Sequence, residues 1–142
     1  MSIRKHLAES PGVRTAKVVF HGETYNLSGT CDYDALTESI ALPEKAASKW
    51  VSHFSKRLKR KVDISRVRQI FAVHKTLQHE EGEAPYDLDE IADLSVKNGA
   101  LFLQLSGRAM FVLGFASQDK EAAKESADIG LAGNSEEPAS PS

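Results

Sequence analysis

The run from Leu101 to Ala116 (LFLQLSGRAMFVLGFA) is the most apolar stretch of this chain and constrains what the rest can be. A bilayer-spanning helix needs ~20 apolar residues. This run is shorter, and Gln104 and Arg108 interrupt it, so the expectation is a soluble protein with no membrane span. At helical spacing Leu101, Leu105, Val112 and Phe115 share roughly one side, with Phe102, Ala109 and Leu113 close by. A helix apolar over so much of its circumference is a central core helix or meets another protein. No other segment has the composition of a hub.

The remaining totals bound the class. The chain has 142 residues, which favours one domain with a core large enough to need no staple. A single cysteine, Cys31, excludes an internal disulfide and suits a reducing compartment. No apolar segment follows the charges of Arg4 and Lys5, so a secretory signal is not expected and a cytoplasmic location is.

Local patterns then divide the chain. Residues 1–14 read as a loose segment broken at Ser10-Pro11-Gly12. Thr15–Phe20 and Thr24–Ser28 read as strands joined at His21-Gly22-Glu23, with Val18, Phe20, Tyr25 and Leu27 on the buried face. A lone hairpin is marginal in water, so it must lie on the helices or pair with another chain. Asp32 or Asp34 can cap a short helix through Ile40. Pro43 and Glu44 open another that runs to about Lys61, with Trp50, Phe54 and Leu58 as its apolar stripe. Asp63 caps the next, along which Ile64, Val67, Ile70, Phe71, His74 and Leu77 continue the pattern. Asp87 with Glu90 forms a capping box for a short helix that stops in a left-handed turn at Asn98-Gly99. The hub helix follows. Residues 117–142 carry six acids and two lysines, with only Ile129 and Leu131 large and aliphatic, so a flexible acidic tail is expected after a turn or two of helix at 118–124. The predicted fold is α+β, mostly α: one domain over 15–116, its N-terminal hairpin packed on four or five helices.

Chemistry-bearing patterns are sparse. His74 and His79 are five residues apart and share no helix face, so a partly buried, hydrogen-bonded His74 is favoured over a metal ligand. Asp87, Asp89, Glu90 and Asp93 lack the glycine and alternation of a calcium loop. No glycine-rich phosphate loop occurs, and Gly107 and Gly114 are expected to serve close helix packing. Ser106-Gly107 lacks a nucleophile elbow, and Cys31 has no histidine near it. The expectation is therefore no catalytic residue, cofactor or metal, with an enzyme possible only through groups that the fold assembles.

Charge is distributed in blocks. Residues 43–68 hold nine basic side chains against two acids, a net +7, and residues 78–95 hold seven acids and no lysine or arginine, a net −7. Such blocks invite pairing within a subunit or between copies. Lys56, Arg57, Lys59 and Arg60 against Asp87, Asp89, Glu90 and Asp93 are the candidates for charge-mediated self-association. The cluster at 56–61 could also meet phosphates, with Trp50 or Phe54 stacking on bases. Trp50, Phe54 and Leu58 lie on one stripe, however, which favours a charged outer face over nucleic-acid binding.

The order of parts resembles the tail assembly chaperones of long-tailed, non-contractile bacteriophages. The matching pieces are the hairpin at 18–28, then Leu105-Ser106-Gly107 followed by an aromatic at Phe111, then a polar tail from Ala127 to Ser142. The likeness is one of outline; by residue it rests on the Leu-Ser-Gly piece alone. It implies a non-enzymatic chaperone in the host cell cytoplasm that coats the tape-measure protein, leaves as the tube polymerises and is absent from the virion. It also implies a frameshifted longer product whose extension recruits the tail tube protein, and repeated copies along the client. On this reading Phe102, Leu105, Phe111 and Phe115 divide between core and client surface. The alternatives are a nucleic-acid-binding module using residues 56–68 and another oligomeric phage morphogenesis scaffold.

Overall fold

The computed structural model describes residues 3–4, 13–30 and 32–115. The loose segment expected at 1–14 and the acidic tail lie almost wholly outside those residues, as does Cys31. What is described is an α+β fold in which one antiparallel hairpin precedes five helices. Strand β1 (Thr15–Phe20) pairs with β2 (Glu23–Ser28) in a register that sets Val18 opposite Tyr25 and Ala16 opposite Leu27. The turn is His21-Gly22, with φ of 52° and 81°. Two successive positive φ values match the right-handed twist of a tight hairpin, and glycine at the second avoids a Cβ clash. Alternation does the rest: Val18 and Leu27 are buried, Phe20 and Tyr25 are half-buried, and Lys17, Val19 and Asn26 face out. The hairpin lies on the helices of its own chain. The outer edge of β2 is also met by that chain, through an isolated bridge between Leu27 and Leu77 and a 2.9 Å bond from the Gln78 N–H to the Asn26 carbonyl.

Helix α1 (Tyr33–Thr37) is capped by Asp32, whose Oδ2 accepts from the Ala35 N–H. It stops three residues short of the expected Ile40. The chain then turns so that Ser39 is buried, with its Oγ donating to the Ala35 carbonyl at 2.9 Å. Helix α2 (Glu44–Leu58) ends before Lys61 because Lys59 adopts a left-handed φ of 56°. The Arg60 N–H then reaches back to the Ser55 carbonyl, and the Ser55 Oγ accepts from the Val62 N–H. That reversal is what lets Val62 enter the core at 1% exposure.

Helix α3 (Ile64–Thr76) starts at the Asp63 cap as expected. Val67, Ile70, Ala72 and Val73 are fully buried, but His74 is exposed, which corrects the partly buried reading. Helix α4 (Leu88–Lys97) carries the full Asp87–Glu90 capping box. Asn98 is not left-handed; its φ is −146°, so no αL stop forms there. It ends α4 through its N–H on the Leu94 carbonyl and starts α5 by accepting the Leu101 N–H on its side chain. One residue thus bends the chain between two helices.

Helix α5 (Gly99–Val112) is the hub. It contacts both strands as well as α3 and α4. Leu101, Phe102, Leu105, Ala109, Phe111 and Val112 are all buried. Fully burying a side chain of this size stabilises the fold by roughly 1.5–3 kcal/mol relative to leaving it in water. The helix ends in a Schellman arrangement: Gly114 has φ +89°, its N–H bonds the Phe111 carbonyl, and the Phe115 N–H bonds the Met110 carbonyl. Gly114 is therefore a terminator, not the packing glycine expected from its place in the apolar run; a Cβ there would meet nothing within 4 Å. The helical continuation expected at 118–124 lies outside the described residues. Packing does require a glycine at Gly29, where a Cβ would collide with the Val112 carbonyl oxygen.

Candidate functional site

The four residues expected to divide between core and client surface divide unevenly. Phe102, Leu105 and Phe111 are 3%, 0% and 8% exposed, so as surface residues they are corrected: they hold the domain together. Phe111 is further enclosed by Arg14, whose guanidinium lies 5.5 Å from the ring centroid and donates from Nη1 to the Phe111 carbonyl at 3.3 Å. Phe115 does face out, at 53% exposure. Sequence spacing had placed it with Leu101 and Leu105, but the turn at Gly114 removes it from the helical face.

The outward residue that periodicity missed is Leu103, 63% exposed in the middle of α5. Ala100, Leu103, Gly107 and Met110 recur at three- and four-residue intervals along one line of the helix. Ala100 and Leu103 are exposed, and Gly107 and Met110 half-buried. This line ends beside the turn that carries Phe115. Leu103 falls off the stripe of Leu101, Leu105 and Val112, but so do Met110 and Phe111. In a run apolar on every side, nothing marked it as outward.

The charge blocks meet within one subunit. Arg57 on α2 donates from Nε and Nη2 to the two carboxylate oxygens of Asp93 on α4, at 2.9 and 2.8 Å. Its Nη1 lies 3.5 Å from Asp89, which also sits 2.8 Å from the His53 Nε2. The two-point hydrogen bond from Arg57 holds the Asp93 carboxyl below the usual carboxylate range, and the same bond raises the guanidinium. Asp87 and Glu90 are occupied with capping α4. Of the four acids, Asp89 and Asp93 thus form an α2–α4 strap within the subunit, and Asp87 and Glu90 serve the start of α4.

Lys56 and Lys59 take no part in that strap. Lys56 lines the exposed side of α2 with Lys45 and Lys49, Lys59 stands exposed at its C-cap, and among the described residues none of the four makes an ion pair. Arg60 is exposed too, and its Nε donates to the Leu58 carbonyl at 3.3 Å. The aromatic side chains do not accompany them outward. Trp50 stacks on the buried Phe54 with centroids 5.3 Å apart and meets Phe71 edge-on at 5.4 Å. On α2 the nucleic-acid reading therefore finds outward cations without Trp50 or Phe54 beside them as a stacking platform.

Two open clefts lie on the described surface. One, of about 540 Å³, lies on the outer side of the hairpin among Thr15, Lys17, Asn26, Ser28 and Gln78. The other, of about 520 Å³, lies at the α2–α3 corner beside Val51, Val62 and Ile64. Neither gathers a set of titratable side chains. The Tyr86 hydroxyl, pushed up to about 12 by burial and by donating to Glu83 at 3.0 Å, belongs to the loop before α4. No described helix is long and apolar enough to cross a membrane, and no three described His, Cys, Asp or Glu residues are placed to hold a metal ion. Compared with known proteins, the chain matches no family model, no curated sequence and no solved structure.

Proposed function

We propose that this protein is an assembly chaperone that holds the tape-measure protein of a long, non-contractile phage tail in solution while the tube forms around it. The observation that carries the reading is the outward line of α5, where Leu103 stands in water on an element otherwise given to the core, with Phe115 exposed in the turn that ends it. A long helical client presents apolar side chains at three- and four-residue intervals, and a helix face of the same spacing is the shape that meets it. The order of hairpin, helices and a hub bearing Leu105-Ser106-Gly107 supports the same reading. Several copies would act along one client, each contributing a modest contact that repetition strengthens. Residues 117–142 would tether a frameshifted extension that recruits the tail tube protein, and the work would take place in the host cell cytoplasm.

Co-expression with the tape-measure protein tests this. Leu103→Asp and Phe115→Asp alter exposed positions, so the variants keep wild-type circular dichroism and nearly wild-type Tm. Each is expected to lower the soluble tape-measure protein severalfold, and the double variant to abolish it. A folded double variant that solubilises the client as well as wild type overturns the proposal.

A further inference from the structure

We propose that the outward basic face of α2 is a docking surface for the acidic segment of this same chain, residues 125–142. Lys45, Lys49 and Lys56 are exposed and follow one side of the helix, and Lys59, exposed too, stands at its left-handed C-cap. At 1.5 Å per residue the three helical lysines span roughly 17 Å. Arg57, which could have neutralised an incoming acid, is turned aside onto Asp89 and Asp93, so the lysines form an unbalanced strip of positive charge.

Of the seven acids of residues 78–95, all but Glu80 and Glu81 are engaged elsewhere. Asp89 and Asp93 are bound to Arg57 and His53, Asp87 and Glu90 cap a helix, and Glu83 accepts from Tyr86 and from the Glu80 N–H. The largest uncommitted block of negative charge lies beyond the described residues, where Glu125, Asp128, Glu136 and Glu137 are accompanied by no lysine or arginine. The described chain stops at Phe115, and the stretch from there to Glu137 can extend up to about 75 Å. That is about twice the ~34 Å diameter expected of a domain of this size. The segment therefore reaches any face of the domain, and α2 is the face whose charge complements it. Contacts between exposed charges are individually weak and screened by salt. The segment would behave as a tethered competitor that a stronger polyanion or a rise in ionic strength displaces.

The test uses the full chain. A nitroxide is attached at S140C in a C31S background, and broadening of backbone amide signals is measured by NMR. At about 0.02 M salt, broadening is expected at Lys45, Lys49 and Lys56 and should disappear near 0.5 M. It should also disappear in a full-length E125Q/D128N/E136Q/E137Q variant. That variant should bind a single-stranded DNA oligonucleotide, used as a polyanion probe, roughly three- to tenfold more tightly than wild type at low salt. Broadening spread evenly over the surface overturns the proposal. Broadening that arises only between molecules, in a mixture of spin-labelled and isotope-enriched chains, overturns it in favour of a second copy. DNA that binds both chains equally tightly overturns it in favour of a face open to nucleic acid.

Discussion

Helices α2 and α5 are of similar length, and each commits aromatic and aliphatic side chains to the same core, yet they spend their other sides differently. Helix α2 buries Ala47, Phe54 and Leu58 and gives water its lysines. Helix α5 buries Leu101, Phe102, Leu105, Ala109, Phe111 and Val112, and still offers water a leucine. The outer face of α2 is built to stay wet, since lysine keeps its ammonium hydrated wherever the stem lies. The outer line of α5 has little to gain from water and is the face that a partner could cover at low desolvation cost. Within one small domain, a helix with a polar back and a helix without one therefore imply different neighbours: solvent and polyanions for the first, an apolar surface for the second.

The largest test of that contrast sets two leucines of α5 against each other. Leu105→Ala empties a fully enclosed site and should cost about 2–5 kcal/mol, seen as a large drop in urea midpoint. Leu103→Asp, two residues earlier, should change stability by no more than about 0.5 kcal/mol. Equal losses would mean that α5 has no outward side. The next effect falls where α5 ends. Gly29→Ala would drive a Cβ into the Val112 carbonyl oxygen, backbone against backbone, and should destabilise by about 1–3 kcal/mol in thermal or urea unfolding. Gly22, in open space at the hairpin tip, is the control for steric crowding, since its penalty would come only from its positive φ.

The smallest effect concerns the strap between α2 and α4. The Arg57 bond lowers the folded-state pKa of Asp93, so between that value and the higher unfolded one the unfolded chain binds more protons. The contribution is complete above the unfolded value of about 3.9. It is lost as pH falls through the lowered folded value. Asp93→Asn should lower Tm by no more than about 3 °C at neutral pH. The two Tm curves should converge once pH is below both values. Curves that stay parallel down to pH 2 would show that the strap does not couple protonation to folding.

Much of the frame was legible from residue patterns. Asp63, and Asp87 with Glu90, mark helix starts because a short acidic side chain satisfies amides that the first turn leaves unbonded, and this chemistry is local. The hairpin was legible for the same reason, its alternation and its His21-Gly22 turn both being short-range. Helix ends were not. Nothing local demands a left-handed Lys59; the demand comes from Val62, which must turn back into the core. His74 fits the apolar period of α3, but no described element covers that point of the helix.

The candidate surface shows the same division. The amino-acid sequence by itself determined that the run after Asn98 would be the centre of the domain, and that opposite charges would find each other. Tertiary structure alone decided which side of that run stays outside, turning Phe111 inward under Arg14 and leaving Leu103 and Phe115 in water. It also decided that Arg57 would meet Asp93 of its own chain while Lys45, Lys49 and Lys56 on the same helix would not. Period and composition record how strongly a side chain prefers to leave water. Which of several equally apolar side chains does so depends on the finite area that neighbouring elements can cover, a property of their packing in space.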